Sequence, residues 1–386
     1  MSEVKISNSI KYVGCDDKKI DLFESQYIVP NGISYNSYLI LDEKTCLMDT
    51  ADKRVEAEWL EKVGKALDGK KLNYLVVLHM EPDHAGCIKT LIDKHPDVTV
   101  VGNAKTFQYY TQFFNSDIAN KVVVKEGDTL ELGSHTLTFL MAPMVHWPET
   151  MVAYESSEKV LFSADGFGKF GALDTEEDWA CEARRYYFNI VGKYGAQVQA
   201  LLKKAAALDI QTICPLHGPI LKENLSYYID KYNTWSSYEP EDEGVLIAYA
   251  SIHGNTATAA RKLGDILEAK GAKKVVVSDL SRDDMAEVIE DAFRYDKLIV
   301  CSATYDGGLF PVMEDFLAHL KSKAYQKRKV GIVENGTWAP MSGKLMTAYF
   351  EGMKNVTLCE NKVTIKSALN DASEAQLNAL ADEILA

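Results

Sequence analysis

The sequence predicts a two-domain α/β protein, with an N-terminal domain of αββα layering followed by a doubly wound parallel sheet. Three observations predict this fold class. The chain has 386 residues, which is more than one hydrophobic core of typical size accommodates. Its first two-thirds mixes short apolar strands, turns and amphipathic helices, and its last third alternates one strand with one helix. We place the domains at residues 1–240 and 244–386.

The N-terminal domain contains a predicted β-hairpin, in which the apolar runs SYNSYLIL (34–41) and TCLMDT (45–50) are joined by DEK. The stretch KRVEAEWLEKVGKAL (53–67) has apolar residues at helical spacing and predicts a helix. Later segments predict strands at 73–78, 98–103, 121–143, 151–156, 160–165 and 211–219, and helices at 87–95, 104–114 and in the region ending near Leu208. Strands and helices in this mixture favour the αββα layering.

The segment WSSYEPEDEG (235–244) is the predicted linker, because it is acidic, contains a proline and has no periodicity. Beyond it, five apolar runs alternate with amphipathic stretches. They are VLIAYA, KKVVVSDL, DKLIVCSA, KVGIVEN and NVTLCENKVTIK. This alternation predicts five parallel strands with covering helices, in the short doubly wound order.

Composition limits the classes of partner. The net charge of −14 argues against nucleic acid or an anionic membrane surface. No apolar run approaches the ~18 residues that a membrane span needs, and the N-terminus has no apolar signal region. We expect a cytoplasmic protein. Seven scattered cysteines without a C-x-x-C pair predict free thiols, not a disulfide framework or a zinc ribbon.

Residues of the types that commonly bind metals lie directly after the apolar runs of four predicted strands. They are His79, Glu81, Asp83, His84, His146, Asp165 and His217. Taken alone, the last three could equally be helix caps or hydrogen-bonded loop residues. Four strand ends that converge on one sheet edge favour a metal site.

Glu81 indicates which metal. A zinc hydrolase usually carries a histidine at this place, whereas a carboxylate here gives four imidazoles and three carboxylates. Anionic oxygen donors favour iron and offset the charge gained when Fe(II) becomes Fe(III). Zinc has no redox chemistry and gains nothing from the exchange. The ligand set therefore favours a redox site.

A second site is predicted where AYASIHGNTATAA joins the first strand of the second domain to its first helix. Its loop residues are Ser251, Ile252, His253, Gly254, Asn255 and Thr256. Small and hydroxyl residues at a helix N-terminus suit a phosphate. The loop has neither Lys nor Arg and is not G-x-G-x-x-G, which argues against a nucleoside triphosphate or a dinucleotide. His253 either pairs with the phosphate or faces solvent.

Two more loops follow the third and fourth strands, at the edge where such sheets bind flavin. SATYDGG (302–308) offers Thr304, Tyr305, Asp306 and Gly307. ENGTWAP (334–340) offers Asn335, Gly336, Thr337 and Trp338. Three such loops at the same edge of one sheet favour FMN as the cofactor.

The motifs HMEPDH, MVHWPET, FSADGFG and PLHGP resemble the metal motif of the metallo-β-lactamase-like fold. With the three loops, which are similar to those of flavodoxins, the whole chain resembles the flavodiiron proteins, or A-type flavoproteins. The resemblance implies a metallo-β-lactamase-like αββα sandwich followed by a flavodoxin-like doubly wound parallel sheet. It assigns His79, Glu81 and His146 to one iron.

The resemblance assigns Asp83, His84 and His217 to the other iron and makes Asp165 the bridge. The sequence leaves open whether His84 binds iron in every state. Tyr194 is a candidate hydrogen-bond or proton donor near the irons. FMN would lie between the two later loops.

The activity that the resemblance implies is the reduction of O2 to water, of NO to N2O, or of both, at a non-haem diiron site fed by FMN. Electrons would come from rubredoxin or a similar donor, which we expect to be a separate protein. The resemblance also implies a head-to-tail homodimer or a dimer of dimers, in which one chain's FMN meets its partner's irons. The sequence leaves open the preferred gas, the donor and the choice between dimer and tetramer.

Two other functions compete. The chain could be a metal-dependent hydrolase of the glyoxalase or lactamase type with a flavodoxin-like second domain. It could also be an electron-transfer flavoprotein whose first domain has lost its metal. Glu81 and the intact flavin loops count against the first alternative, and the complete ligand set counts against the second.

Overall fold

The computed structural model describes residues 5–386, and the described chain divides into two compact units. The first unit consists of the residues up to Tyr187 together with Ala196–Asn233. The second consists of Phe188–Gly195 together with Thr234–Ala386.

Two large sheets, two two-stranded sheets and their helices occupy the described chain up to Ser236. The strands are β1 (Ile10–Tyr12), β2 (Cys15–Asp17), β3 (Leu22–Phe23), β4 (Tyr27–Ile28), β5 (Ile33–Tyr35), β6 (Tyr38–Ile40), β7 (Cys46–Met48), β8 (Tyr74–Val76), β9 (Thr99–Gly102), β10 (Lys121–Val123), β11 (Thr129–Glu131), β12 (Thr136–Met141), β13 (Met151–Glu155), β14 (Val160–Phe162) and β15 (Thr212–Cys214). The helices are α1 (Glu56–Leu67), α2 (Pro82–Ala85), α3 (Ile88–Lys94), α4 (Ala104–Phe114), α5 (Trp179–Tyr186), α6 (Gly195–Ala205) and α7 (Leu225–Ser236). A π-helical turn, Tyr187–Val191, and a 3-10 turn, Gly192–Tyr194, separate α5 from α6.

The first unit has a six-stranded sheet in the order β1-β6-β7-β8-β9-β10 and a five-stranded sheet in the order β11-β12-β13-β14-β15. The predicted hairpin is β6 and β7, which pair antiparallel with Ile40 opposite Cys46. Strands β7 to β10 run parallel, and β7 is buried along its whole length. Burial on both faces explains why β7, β8 and β9 read as apolar runs, whereas the edge strand β10 is exposed.

One hydrophobic core lies between the two sheets. Met48 and Val76 from the first sheet and Phe139 and Phe162 from the second belong to the same buried cluster. Each strand therefore turns alternate side chains toward the opposite sheet.

The second unit is built on a parallel sheet. Its strands are β16 (Asp242–Ala250), β17 (Val275–Asp279), β18 (Tyr295–Tyr305), β19 (Gly308–Leu309), β20 (Lys329–Asn335), β21 (Thr357–Leu358) and β22 (Val363–Ile365). Its helices are α8 (Asn255–Ala269), α9 (Met285–Arg294), α10 (Pro311–Ser322), α11 (Ser342–Phe350) and α12 (Asp371–Leu385). The order is β17-β16-β18-β20-β21, with β22 also paired to β20 and the short β19 antiparallel to β18. The predicted doubly wound order, and with it the fold class, is confirmed.

The structure has a shorter linker than the predicted one at 235–244. α7 continues to Ser236 and β16 begins at Asp242, so residues 237–241 alone lie between them. Trp235 extends the helix because its buried indole donates a hydrogen bond of 2.6 Å to Glu241. A buried aromatic side chain outweighs the weak helical pattern around it.

No helix among residues 5–386 is long and apolar enough to cross a membrane. All seven cysteines lie in this part of the chain, and none forms a disulfide.

The parallel sheet of the second unit offers a matched pair of core tests. Val300 on the central strand β18 is 0% exposed, whereas Val277 on the edge strand β17 is 37% exposed. Val300→Ala removes two buried methyl groups and leaves a cavity, so we expect it to lower the free energy of unfolding by about 2 kcal/mol. Val277→Ala should change it by less than about 0.5 kcal/mol. Chemical denaturation of the full chain measures both values, and equal losses would contradict this account of the core.

Candidate metal centre and cofactor pocket

Three of the predicted ligands occupy equivalent places after their strands. His79, Asp165 and His217 each lie three residues beyond the last residue of β8, β14 and β15 respectively. β14 and β15 are parallel neighbours, with Phe162 opposite Cys214. Asp165 and His217 therefore leave the same edge of one sheet, as the positions of the motifs predict.

The short helix α2 supplies two more of these side chains. It begins with Pro82, whose fixed φ suits the first turn and whose missing N–H needs no partner there. Asp83 and His84 follow in that turn and are both buried. Four helical residues are too few to show a periodicity, and so the sequence did not predict this helix.

Four of the predicted ligands form a first group, His79, Glu81, His146 and Asp165, whose ligand atoms all lie within 4.8 Å of one another. Glu81 Oε2 lies 2.9 Å from His146 Nε2 and 3.2 Å from His79 Nε2. The two imidazoles thus direct their Nε2 atoms at a shared carboxylate oxygen.

The other three predicted ligands, Asp83, His84 and His217, form a second group. Asp83 Oδ2 lies 3.1 Å from His84 Nε2 and 3.2 Å from His217 Nε2. The two Nε2 atoms are 3.0 Å apart. This group repeats the arrangement of His79, Glu81 and His146, with two imidazoles around one carboxylate.

Asp165 joins the groups, because each of its carboxylate oxygens faces a different one. Oδ2 lies 3.3 Å from His79 Nε2 and 3.2 Å from His146 Nε2. Oδ1 lies 3.4 Å from His84 Nε2 and 3.8 Å from His217 Nε2. A carboxylate divided in this way has the geometry of a bridge between two cations.

The residues present fit two metal ions. Asp165 is 1% exposed, yet neither of its oxygens accepts a hydrogen bond within the described chain, and the same holds for both oxygens of buried Asp83. A buried carboxylate without donors is costly unless a cation neutralises it. Nitrogen and oxygen donors at these distances suit divalent metals.

The electrostatics of the groups lead to the same conclusion. Burial lowers the pKa of the His84 and His146 imidazoles, but the facing carboxylates outweigh it and raise the pKa to about 10 for His84 and about 9 for His146. Burial raises the pKa of Asp165, yet His79 and the other imidazoles bring that pKa well below its usual range. The carboxylates are therefore stabilised by nearby positive charge. A metal ion that displaces the imidazole protons would supply this charge.

Other residues orient two of the imidazoles. His79 Nδ1 lies 2.8 Å from Glu149 Oε1, which also accepts the Met80 N–H at 2.8 Å. His217 Nδ1 lies 2.7 Å from the Ser34 carbonyl oxygen. These bonds direct both Nε2 atoms into the centre. His84 Nδ1 is buried and has no hydrogen-bond partner among residues 5–386, so its ring is less firmly held.

Sequence reasoning missed Glu149, Ser34 and two aromatic residues that cover the second group. The rings of Phe23 and Tyr186 lie 5.3 and 5.5 Å from the His217 ring. Burial, Asp165 and Asp83 raise the pKa of Tyr186 well above its usual range. No local pattern marks these residues, apart from the proximity of Glu149 to the HWPET motif.

Tyr194 lies in the second compact unit, at the end of the 3-10 turn that precedes α6. Its ring is stacked under the Lys193 ammonium, with Nζ 5.9 Å from the centroid. A role for Tyr194 near the metals stays a prediction.

The predicted cofactor loops line one cavity of about 530 Å³ in the second unit. The predicted residues in its wall are Ser251, Ile252, His253, Asn255, Thr256, Thr304, Tyr305, Asp306, Gly307, Asn335, Gly336, Thr337 and Trp338. Gly254, the remaining predicted residue, caps α8 with φ +89°. Sequence reasoning missed four lining residues, which are Ala303, Ala339, Met341 and Ser367.

The cavity combines a helix N-terminus with exposed aromatic rings. The Ser251 hydroxyl accepts the Gly254 N–H at 3.1 Å and shapes the loop that leads into α8. Asn335 is fixed by two hydrogen bonds with the Ser367 backbone, at 2.9 and 3.1 Å. Trp338 is 91% exposed and Tyr305 is 44% exposed. These features fit a phosphate at the helix and a flat aromatic ligand between the loops.

The bond between Glu149 and His79 is a test of the metal centre. Glu149→Gln keeps an oxygen for the Met80 N–H but removes the charge that orients His79, so we expect the affinity for Fe(II) to fall about 10–100-fold. Chelator competition with the metal-free protein measures the affinity. Glu158→Gln is the matched control, since Glu158 Oε1 bonds His135 Nε2 at 3.1 Å outside the ligand set. Similar affinities of the two variants would contradict the assignment of Glu149.

Two family models match the chain in succession. The model described as ODP family beta lactamase matches residues 33–218, and the flavodoxin model matches residues 247–337. The first covers all seven residues of the metal-ligand set, and the second covers the three cofactor loops up to Thr337.

Relatives are similar over nearly the whole chain. An uncharacterised protein of Methanocaldococcus jannaschii is 33% identical over 82% of this chain and 81% of its own. A nitric oxide reductase of Moorella thermoacetica is 30% identical over 94% of this chain and 93% of its own. The solved structure of rubredoxin oxygen:oxidoreductase from Desulfovibrio gigas superimposes with a TM-score of 0.93, at 29% identity, over 98% of this chain and 97% of that one. With its lactamase-like and flavodoxin domains in this order, the chain belongs to the flavodiiron proteins.

Proposed function

We propose that this protein reduces O2 to water, NO to N2O, or both, at a non-haem diiron centre that receives electrons through FMN. The observation that carries the proposal is the division of the Asp165 oxygens between two groups, each with two imidazoles and one further carboxylate. Relatives named nitric oxide reductase and rubredoxin oxygen:oxidoreductase support both gases.

The ligands divide into two iron sites. His79, Glu81 and His146 would hold one ion. Asp83, His84 and His217 would hold the other, with Asp165 between them. Three carboxylates make the set anionic and hard, which favours iron over zinc. Glu81, whose oxygen faces both His79 and His146, is the feature that disfavours the hydrolase.

When bound, the two irons supply Lewis-acid positions for the gas and pass on electrons from the flavin. The chain's own residues prepare the site. Glu149 and Ser34 hold the imidazoles of His79 and His217 with Nε2 directed inward. Phe23 and Tyr186 lie over His217 and exclude water. The raised pKa of Tyr186 keeps its hydroxyl protonated and able to donate a hydrogen bond.

FMN would occupy the cavity of the second unit. Its phosphate would lie at the N-terminus of α8, against the backbone N–H groups of Asn255 and Thr256. Its ring system would lie between Tyr305 and Trp338, whose exposure suits them to cover a flat ligand. One edge of the flavin would remain open to solvent, where an electron donor can reach it.

The partners that we propose are rubredoxin, or a similar small electron-transfer protein, and a second copy of this chain. Electrons cross between cofactors only at short range, so the FMN of one chain must lie near a diiron centre. A head-to-tail homodimer, or a dimer of dimers, would produce two equivalent FMN–diiron pairs. A cytoplasmic location remains part of the proposal.

Exchange of Glu81 tests the metal assignment. Glu81→His removes an anionic oxygen donor, so we expect metal preference to shift toward zinc and gas reduction to be lost, while the flavin spectrum stays unchanged. Metal analysis, anaerobic NO turnover and O2 consumption measure these effects. Glu61→His, at a glutamate paired with Lys65 on the surface of α1, is the control. Stoichiometric zinc without iron in the natively produced wild-type protein would overturn the proposal and favour the hydrolase.

Mixed dimers test the pairing of cofactors across chains. Glu81→Ala inactivates the metal site, and Asn255→Trp obstructs the phosphate site at the start of α8. Each variant alone should be inactive, and a mixture that exchanges subunits should regain part of the activity because one cross-chain pair is intact. Activity of the mixture and native mass spectrometry measure recovery and exchange. Exchange without recovery would mean that electrons travel within one chain.

A further inference from the structure

A small cavity lies in the first unit between the five-stranded sheet and α6. Its free volume is about 20 Å³. Strands β12, β13 and β14 contribute Leu140, Val152 and Leu161, and α6 with the turn after it contributes Val198, Leu201, Leu202, Ala205 and Leu208. The rest of the wall is Val145, Ser163, Gly166, Phe167 and Tyr232.

The cavity is too apolar to hold water well. Aliphatic and aromatic side chains form almost all of its wall, and both hydroxyl groups have other partners. Ser163 donates to the Gly166 carbonyl oxygen at 2.7 Å, and the Tyr232 oxygen accepts the Phe167 N–H at 2.6 Å. A water molecule needs roughly 10–15 Å³ and two or more polar partners, so this volume suffices but the partners are lacking. Apolar cavities of this kind stay dry and take up apolar atoms or small molecules.

Residues next in sequence to two proposed ligands form part of the cavity wall. Ser163, Gly166 and Phe167 belong to the turn that carries Asp165, and Val145 directly precedes His146. On the opposite side, Leu201 and Ala205 are only half-buried. The wall thus extends from partly exposed residues of α6 to the neighbours of two proposed ligands.

We propose that this cavity binds a small uncharged diatomic gas, O2 or NO, and supplies it to the centre. The inference rests on the proposed function for the identity of the gas. O2 and NO are uncharged and prefer an apolar environment to water, and the volume admits about one such molecule. Water and ions lack polar partners in this cavity, so it favours an uncharged gas over them.

Xenon tests the binding site without turnover. Crystals of the full-length protein loaded with iron and FMN are exposed to pressurised xenon, and the expected result is a xenon peak between Leu161, Val198 and Phe167. Ala205→Leu should abolish this peak, because the larger side chain fills the cavity. Leu201→Ala should increase its occupancy. Ala200→Leu is the control, since Ala200 is an exposed residue of the same helix outside the cavity wall.

Steady-state kinetics test delivery in the same variants. Ala205→Leu should raise KM for O2 severalfold with kcat unchanged, and Ala200→Leu should change neither. The absence of xenon from the wild-type cavity would overturn the inference whatever the activity. Xenon binding with an unchanged KM in Ala205→Leu would overturn delivery. A wild-type protein that reduced neither O2 nor NO would instead contradict the proposed function. The xenon experiment would still report whether the cavity binds an apolar guest.

Discussion

The buried carboxylate of Asp165 is the constraint on which the rest of the metal centre depends. A buried ionised group, with no hydrogen bond to either oxygen within the described chain, requires positive charge on two sides. His79 and His146 face one oxygen, and His84 and His217 face the other. A neutral residue at this place would leave the four imidazoles without the charge that binds the two groups together. The pairing of sites is therefore a consequence of one side chain and not of the fold alone.

The fold supplies what that carboxylate needs, which is a fixed sheet edge. The core between the two sheets fixes the ends of β8, β14 and β15, and each of them places a ligand three residues further on. The connecting backbone is strained, since Met144, Ala164 and Phe167 adopt positive φ values of 66°, 49° and 67°. Such conformations cost about 1–3 kcal/mol each and persist where the surroundings enforce them. Packing of the sheets thus stabilises a geometry that the ligand loops would not adopt by themselves.

Much of this could be predicted from the sequence, because buried parallel strands read as apolar runs and a strand's carboxyl end is the natural place for a site. The seven proposed metal ligands and the three proposed flavin loops lie at the ends of such runs. What the sequence did not reveal depends on distant contacts. Ser34 binds His217 from a strand far away in sequence, and Tyr186 reaches His217 from a helix with no distinguishing pattern. Helix α7 was not predicted, and the predicted linker began too early at residue 235, because a tertiary contact of Trp235 overrides a weak local signal.

The two sites require opposite environments, and the chain provides both. Six of the seven proposed metal ligands are buried and Glu81 is partly exposed, whereas Tyr305 and Trp338 leave the proposed flavin cavity open to solvent. Electron entry needs a surface that another protein can approach, and oxygen chemistry needs a site from which water and reductants are excluded. A centre whose proposed ligands are mostly buried must still admit its substrate. An uncharged gas can enter an apolar environment without losing strong hydrogen bonds to water, and the cavity proposed to bind it lies beside the turn that carries Asp165. The apolar side chains that disfavour water in this cavity are then the same ones that favour the gas.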